Sequence, residues 1–488
     1  MSNHDGLPDP YQDDYVPPSY PPPRRPDPDG RPQANTGEHP TAGHYPAPEH
    51  DGAALGIGRH LNRRTFLQAL VASGALASGA GIIYSGREKV ERPTVAQPST
   101  QMGVVTRANA DPDTAGSLID GAIDNRVLVV VEMQGGNDGL SMVIPYGSGA
   151  YYDLRPDVAI PQEEVLPLND EIGLHPNLAR LHQRGVGIVE GVGPIEGNLS
   201  HFEMVQRWDR ADVDGKGELR SGFLARFTDT VDNGSPLVGL SVSGSTPRFA
   251  NSRSSTLALD NPNALWYLAA QSDNENLRAF HESLRAFAYD ESEMAGMVGS
   301  SWNQLLDLGT TVNEQIDRED DETNPMFTDG GRLGRQLSVA ADLIAADVGV
   351  RVVHASIGGF DTHERQRGRH DNLMAQLDAS IDGFLQQVAA DGAADRVLVA
   401  TTSEFGRRAA ENEAGTDHGS GSVMFVAGAG VTPGRYGVAP SLANLDRRGN
   451  IPTEVPFDTY LGTLAQNWLG IEAGSVLPRG PELLPLAF

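Results

Sequence analysis

From Arg126 onward, short apolar runs rich in β-branched residues alternate with stretches of helical character. The apolar runs are largely uninterrupted, which is typical of strands that are buried on both faces of a sheet. Strands that alternate with helices predict an α/β fold, with a mostly parallel sheet and helices on both faces. The predicted strands are 127–133, 187–192, 237–242, 350–357, 396–402 and 423–427; the predicted helices are 175–184, 201–211, 274–289, 332–346, 368–390 and 457–469.

The first 60 residues differ from the rest in composition. Prolines occur in runs such as Pro17-Pro18 and Pro21-Pro22-Pro23, and aliphatic residues are sparse. Because such a segment buries too little apolar surface to offset the entropy of ordering, we expect residues 1–60 to be a disordered tail. The other expected divisions are a polar linker at 87–125 and an α/β domain at 126–488 with a helical insertion at about 261–330.

Residues 61–86 are predicted to carry a targeting signal. Arg63-Arg64-Thr65-Phe66-Leu67 precedes a weakly apolar stretch rich in glycine, alanine and serine, a pattern that resembles a twin-arginine export signal. We therefore expect the twin-arginine export machinery to be a partner and the protein to reach the cell envelope or the exterior. If the signal is not cleaved, residues 66–84 would anchor the chain. The alternative is a chance arginine pair before a buried helix.

The chain of 488 residues contains no cysteine and has a formal net charge of −28. The absence of cysteine excludes disulfides, thiolate zinc sites, iron–sulfur clusters and a cysteine nucleophile. The negative charge disfavours nucleic acid as a partner. Any metal site must therefore be built from oxygen and imidazole donors.

Acidic residues and histidines lie at the ends of several predicted strands, at the sheet edge where open α/β folds bind ligands. Asp361 and His363 follow the strand at 350–357, and two residues apart in extended chain their side chains share a face. Glu404 ends a buried apolar strand, where a carboxylate is costly unless it is coordinated or paired, in this case with a neighbouring arginine. The predicted metal ligands are Asp138, Asp361, His363, Glu404, Asp417 and His418.

The predicted cofactor is a divalent metal. Carboxylate together with imidazole suits Zn²⁺ or Mn²⁺, whereas an oxygen-only subset would suit Ca²⁺, so the identity of the ion stays open. For Asp138, which lies in Gly135-Gly136-Asn137-Asp138-Gly139, a plain turn is the alternative interpretation.

Ser200-His201-Phe202-Glu203 follows the strand at 187–192. The simplest interpretation is a capping box, in which Ser200 and Glu203 cap the next helix. The alternative is catalytic: Ser200 as nucleophile or anion binder at a helix N-terminus, and His201 as general acid or metal ligand.

These motifs together resemble a bacterial family, the domain-of-unknown-function family 1501. The resemblance runs in order over about 126–470 through the segments 129–146, 151–156, 174–176, 200–203, 358–363, 403–407 and 415–419. It implies a fold similar to the alkaline phosphatase and sulfatase superfamily, in which two metals flank a phosphoryl or sulfuryl group. Glu404-Phe405 departs from the Asp-His pair usual there, which removes a nitrogen ligand.

The function predicted from the sequence is an exported, metal-binding, hydrolase-like protein. The resemblance implies action on a phosphate or sulfate ester, with a small anionic ester or an envelope glycan as substrate. The alternative is a non-catalytic cell-envelope binding protein on a degenerate hydrolase scaffold.

Overall fold

The computed structural model describes residues 125–217, 219–259 and 322–488, with Ala80–Gly81 and scattered positions between 282 and 310. All of these belong to one compact unit, Leu61–Phe488. The predicted tail, most of the predicted signal and linker, and most of the insertion with its helix at 274–289 lie outside the described residues.

The strands form one large mixed sheet and one small sheet. Within the described residues the large sheet has ten strands in the order β1-β8-β7-β9-β2-β10-β11-β6-β12, with β13 also paired to β6, and the small sheet has the order β3-β5-β4. In chain order the strands are β1 (Ala80–Gly81), β2 (Val127–Gln134), β3 (Val143–Ile144), β4 (Leu166–Pro167), β5 (Gly173–Leu174), β6 (Gly187–Gly193), β7 (Gly239–Ser241), β8 (Thr256–Leu259), β9 (Val352–Gly358), β10 (Val397–Thr402), β11 (Ser422–Gly428), β12 (Gly434–Gly437) and β13 (Val455–Pro456).

Seven of the ten α-helices in the described residues form two packed groups. The α-helices are α1 (Gly139–Met142), α2 (Gly149–Leu154), α3 (Ala179–Arg184), α4 (His201–Arg210), α5 (Phe223–Val231), α6 (Pro325–Thr328), α7 (Gly331–Ala345), α8 (Gln366–Ala390), α9 (Phe457–Thr463) and α10 (Ala473–Val476). One group contains α3, α6, α7 and α8, and the other contains α5, α9 and α10; strand β9 is contacted by α7 from the first group and α5 from the second. No helix in this part of the chain has the length and apolar character that a membrane span requires.

The centre of the sheet is parallel, and it is buried. Strand β2 lies between β9 and β10 and runs parallel to both, while β11 runs antiparallel to its neighbours β10 and β6. Every residue of β6 and β10 is buried, as expected for strands covered on both faces. The predicted α/β class with a mostly parallel sheet is confirmed.

Most predicted elements are present with small changes in their bounds. The strand predicted at 237–242 shortens to β7, and the helix predicted at 175–184 begins only at Ala179. The helix predicted at 457–469 is α-helical to Thr463 and continues as a π-helix, Leu464–Trp468. Several short elements have no counterpart among the predicted ones: strands β1, β3, β4, β5, β8, β12 and β13 and helices α1, α2, α5, α6 and α10.

The parallel arrangement of the central strands brings three candidate residues to one edge of the sheet. Because β2, β9 and β10 run in one direction, the segments that follow Gln134, Gly358 and Thr402 leave the sheet at the same edge. Asp138, Asp361 and Glu404 lie in those three segments.

Candidate metal centre

Three imidazoles and one carboxylate converge at this edge. Asp361 Oδ1 lies 3.0 Å from His363 Nε2 and 3.1 Å from His418 Nε2, and the two histidine nitrogens are 2.9 Å apart. Asp361 Oδ2 lies 3.4 Å from His201 Nε2. Among the described residues, His201, Asp361 and His418 offer ligand atoms that all lie within 4.8 Å of one another. We call His201, Asp361, His363 and His418 the histidine cluster.

The hydrogen bond of His418 fixes the protonation of its ring. Nδ1 lies 2.7 Å from the carbonyl oxygen of Leu199, and since a carbonyl only accepts, Nδ1 carries the hydrogen. In the neutral ring Nε2 therefore presents a lone pair towards Asp361. Burial lowers the pKa of His418, which favours this neutral form.

His201 has the same arrangement. Its Nδ1 lies 2.8 Å from Glu404 Oε1, a carboxylate that also accepts the backbone N–H of Gly135. Its Nε2 is buried and has no hydrogen-bond partner, although the ring itself is partly exposed. A buried nitrogen lone pair without a partner is costly, and a metal ion would satisfy it.

His363 turns its Nδ1 towards Asp417 Oδ1, at 3.4 Å. His201 and His418 thus each have a hydrogen-bond acceptor at Nδ1, and His363 has a carboxylate on that side of its ring, so all three rings turn Nε2 inward. The structure places Glu404 and Asp417 behind the rings of His201 and His363 rather than beside Asp361. Carboxylates in this position orient metal-binding histidines and raise their basicity.

The spacing of the donors fits a metal ion. With metal–nitrogen distances of about 2.0–2.1 Å, neighbouring ligands of a tetrahedral ion lie about 3.3 Å apart. The pairs that join Asp361 to His201, His363 and His418 span 3.0–3.4 Å. A donor set of three imidazoles and one carboxylate suits Zn²⁺ or Mn²⁺ better than Ca²⁺, which prefers oxygen ligands.

Asp361 is held in its ionised form. Burial opposes ionisation, but the hydrogen bond and the positive charge of Arg407 outweigh it and keep the pKa of Asp361 well below its usual value. Arg407 Nη2 lies 2.7 Å from Asp361 Oδ1. The carboxylate is therefore charged at neutral pH, as a metal ligand must be.

Arg407 also holds together the loops that carry the cluster. Its guanidinium is fully buried and donates to the carbonyls of Gly135, Gly136, Phe360 and Thr416. These carbonyls belong to the segments after β2, after β9 and before β11. One planar group with five donors thus fixes three loops.

Phe405 forms the apolar wall of the centre. Its ring centroid lies 4.6 Å from that of His418 and 4.9 Å from that of His201. Gly136, at φ +81°, leaves the space that this ring fills, because a Cβ there would lie 2.3 Å from Phe405 Cε2. The paired glycines after β2 therefore serve close packing against the centre.

Asp138 lies in a separate buried cluster. Arg155 donates hydrogen bonds to both carboxylate oxygens of Asp138, at 2.6 and 3.0 Å, and the Ser141 hydroxyl donates to Asp138 at 2.7 Å. Burial raises the pKa of Asp138, but the charge and hydrogen bonds of Arg155 outweigh this and lower it to about 2. The structure thus gives Asp138 an arginine, and not the histidine cluster, as its partner.

Gln366 connects the Asp138 cluster to the centre. Its side-chain nitrogen donates to Asp138 Oδ2, and its oxygen accepts from Thr416 and Thr362, at 2.6 and 3.1 Å. The two threonines immediately precede the Asp417-His418 pair and His363. The buried cluster therefore fixes the distance between the two histidine-bearing loops.

Ser200 is the N-cap residue of α4, but its side chain makes no capping bond. Glu203 pairs instead with Arg207 and Asn198, so the predicted capping box is not formed. Ser200 is exposed and lies between Leu199, which binds His418, and His201. Its hydroxyl is thus next to the centre in the chain and is not engaged in capping.

Arg155 and Gln366 are not among the site residues predicted from the sequence, and Arg407 enters that prediction only as a partner for Glu404. Arg155 lay within the Tyr151–Pro156 segment that carried the family resemblance, which was the available signal. Gln366 had none, because a single glutamine at a helix start has no distinctive pattern.

Comparison with known proteins gives one family and several distant structures. The family model described as "Protein of unknown function (DUF1501)" matches residues 184–453. Similar solved structures include the lipoteichoic acid synthase LtaP from Listeria monocytogenes, at 8% identity over 64% of this chain and 68% of that one, with a TM-score of 0.30. Alkaline phosphatase from the Antarctic bacterium TAB5 is 10% identical over 62% of this chain and 92% of that one, with a TM-score of 0.29. The 2-O GAG sulfatase BT1596 is 13% identical over 71% of each chain, with a TM-score of 0.28. No curated protein matches at the sequence level.

Proposed function

We propose that this chain, which belongs to the DUF1501 family of proteins of unknown function, is an exported, metal-binding, hydrolase-like protein that acts on a phosphate or sulfate ester. The observation that carries the proposal is the common orientation of three imidazoles. His201 and His418 have hydrogen-bond acceptors at Nδ1, His363 has the Asp417 carboxylate 3.4 Å from Nδ1, and all three turn Nε2 towards Asp361. Rings oriented in this way are typical of metal ligands.

The residues of the centre have separable roles in this proposal. His201, Asp361 and His418, with His363 beside them, would hold one divalent ion, which when bound supplies a Lewis acid that stabilises negative charge on the ester oxygens. Arg407 keeps Asp361 ionised and in place. Phe405 packs an apolar ring against one side of the centre.

Ser200 is the candidate nucleophile. It is exposed at the N-terminus of the ten-residue helix α4, where free backbone N–H groups favour the binding of an anionic oxygen. Its hydroxyl is not used for capping, and the adjacent His201 and Leu199 tie this segment to the centre. A small anionic ester, or an anionic group on an envelope glycan, is the substrate that this position fits, while the net charge of −28 disfavours nucleic acid.

Metal content tests the first half of the proposal. The full chain purified without chelator should contain a divalent metal by elemental analysis, and His418→Ala should lose most of it. His182→Ala is the matched control, because His182 binds the carbonyl of Pro167 and lies outside the cluster. Equal metal content in both variants would contradict the assignment.

Turnover tests the second half. The metal-loaded protein is assayed with p-nitrophenyl phosphate and p-nitrophenyl sulfate in the presence of Zn²⁺ or Mn²⁺. Hydrolysis that is abolished by Ser200→Ala, with metal content unchanged, supports an esterase with Ser200 as nucleophile.

The second candidate function is a non-catalytic envelope binding protein on the same scaffold. The observation that favours it is Glu404-Phe405, which supplies no nitrogen ligand and places an apolar ring against the cluster. Metal content that depends on His418, without turnover of either ester, would favour this alternative.

Export is the remaining part of the proposal, and its support is the segment Arg63-Arg64-Thr65-Phe66-Leu67. A Lys–Lys replacement of Arg63 and Arg64 should retain the chain in the cytoplasm while the wild type reaches the envelope fraction. Unchanged fractionation would remove the twin-arginine export machinery as a partner.

A further inference from the structure

A basic cavity lies beside the loop that carries His363. It has a volume of about 390 Å³, and its lining includes Arg365, Arg367, Gly368, Arg369 and Asn372. Asp157 is the acidic residue among those that line it. In a chain with a net charge of −28, three arginines within five residues around one concavity are unexpected.

Two of these arginines lack a partner. Arg367 pairs with Glu164 and, at 3.3 Å, with Asp371. The exposed side chains of Arg365 and Arg369 have neither a hydrogen bond nor an ion pair within the described residues. The unpaired positive charge of the cavity is therefore that of Arg365 and Arg369.

The position of these charges is unfavourable for the empty protein. Arg365 is the N-cap of the 25-residue helix α8, and Arg369 lies one turn further along. Like charges four residues apart repel each other, and cations at a helix N-terminus oppose the helix dipole. Arg365 also has a left-handed backbone, φ +50°, which is disfavoured for a residue with a side chain. An anion in the cavity would attract both arginines and the helix N-terminus and so offset these repulsions.

Gly368 leaves the cavity open to the backbone. A Cβ at this position would meet no atom within 4 Å, so close packing does not require a glycine here. Glycine inside a helix costs about 1 kcal/mol relative to alanine. Its use here lets a ligand approach the first turn of α8 between the arginines.

The cavity is close to the histidine cluster along the chain. Arg365 is two residues from His363, which limits their Cα separation to about 7 Å. Ala414, another lining residue, accepts the backbone N–H of Gln366 at 3.0 Å. A Cβ on the adjacent Gly415 would lie 2.1 Å from the carbonyl oxygen of His363, so these segments are in direct contact.

We propose that this cavity is a second anion site, in which Arg365 and Arg369 bind a phosphate, sulfate or carboxylate group of the same substrate whose ester lies at the histidine cluster. The anion site itself is independent of catalysis, while its link to the substrate rests on the proposed function. The substrate class that follows is an ester with at least two anionic groups, such as a bisphosphate or a multiply sulfated glycan.

Binding to a protein without the metal centre tests the anion site alone. The His418→Ala full chain is titrated calorimetrically with inorganic phosphate and with sulfate. We expect saturable binding that Arg365→Gln/Arg369→Gln weakens about tenfold or more, as for the loss of charge-assisted hydrogen bonds. The matched control is Arg332→Gln/Arg335→Gln, which removes two exposed arginines from the start of the neighbouring helix α7. No binding, or an equal effect of both pairs, overturns the anion site.

Paired ligands test the link to the substrate. Metal-loaded wild type should bind glucose 1,6-bisphosphate more tightly than glucose 1-phosphate. In Arg365→Gln/Arg369→Gln the ratio of the two dissociation constants should fall about tenfold. If the arginine pair changes phosphate binding but not the preference, the site takes a free anion and the substrate assignment is overturned. If the arginine pair is needed for phosphate binding in His418→Ala but no ester is turned over, the anion site stands and the proposed hydrolase fails.

Discussion

His201 Nδ1 lies 2.8 Å from Glu404 Oε1, while Nε2 of the same ring is buried and without a hydrogen-bond partner. Glu404 itself is 3% exposed, and its carboxylate also accepts a hydrogen bond from the backbone N–H of Gly135. The carboxylate of Glu404, two residues after the end of β10, thus orients an imidazole instead of occupying the centre. This arrangement separates residues that would touch a metal ion from residues that position them.

Glu404→Gln tests that separation. The amide keeps the shape of the side chain, but it removes the charge and can present an N–H to Nδ1, which would favour the wrong tautomer of His201. We expect metal affinity to fall about 10–100-fold, the usual effect of losing a partner behind a ligand. Metal titration followed by competition with a chelator measures it.

The matched control for this variant is Glu411→Gln. Glu411 is also a carboxylate that accepts backbone N–H groups, from Asp157 and Val158, but it contacts no imidazole of the cluster. An equal loss of metal affinity in both variants would show that Glu404 acts through general stability and not through His201.

Asp361→Asn should act mainly on metal affinity, whereas Asp138→Asn should act mainly on the free energy of unfolding. Asp361 is 46% exposed and faces three imidazoles, so its replacement should reduce metal affinity more than Glu404→Gln. It also removes the counter-charge of buried Arg407, but Arg407 keeps its four carbonyl acceptors, so we expect a smaller loss of stability than for Asp138→Asn. Asp138 is buried against Arg155, and its replacement leaves that arginine uncompensated. We expect Asp138→Asn to cost about 3–5 kcal/mol of stability with metal stoichiometry retained.

Urea unfolding and elemental analysis of the two variants decide this prediction. A loss of metal from folded Asp138→Asn would restore Asp138 to the set of ligands. Full metal content in Asp361→Asn would remove the central residue of the cluster.

The sequence predicted those parts of the fold that have a strong hydrophobic signal. Strand β2 was expected at 127–133 and extends over Val127–Gln134, because a run of buried β-branched residues fits few other structures. Strand β12, Gly434–Gly437, has four mostly exposed residues, two of them glycine, and so has no such signal. The antiparallel direction of β11 depends on how the preceding loop returns to the sheet, which periodicity does not encode.

The site was predictable in its location but not in its roles. Asp361, His363 and His418 were expected together because each lies next to a strand end, and the structure brings them together. The positions of Glu404 and Asp417 at the Nδ1 side depend on ring orientation. Spacing along the chain carries no information on which nitrogen of a histidine faces inward.

Gly136→Ala should disturb the centre through Phe405. The substitution combines an unfavourable φ of +81° with a collision against the ring. We expect a loss of about 2–4 kcal/mol in the free energy of unfolding, from about 1 kcal/mol of conformational cost and about 1–3 kcal/mol of overpacking. Metal affinity should fall as well, since Phe405 packs against His201 and His418.

Gly449→Ala is the control for the cost of placing alanine at a positive φ. Gly449 has a similar φ of +79°, but a Cβ there would meet nothing within 4 Å. Chemical unfolding should therefore show only the conformational cost. Similar losses in the two variants would mean that contact with Phe405 contributes nothing.

The pairing of Asp138 with Arg155 should make stability fall in acid. The pKa of Asp138 is about 2 in the folded protein, compared with the ordinary value of 3.8. Because the folded pKa is lower, this contribution is complete above about pH 4 and is lost as the pH falls towards 2, with about 1 kcal/mol gone by pH 3. Urea unfolding between pH 5 and pH 3 should show a shallower decline for Asp138→Asn than for wild type. Asp153→Asn, which removes an exposed carboxylate near Arg155, is the control and should follow the wild-type slope. Parallel curves for wild type and Asp138→Asn would mean that this buried pair does not contribute to the acid sensitivity.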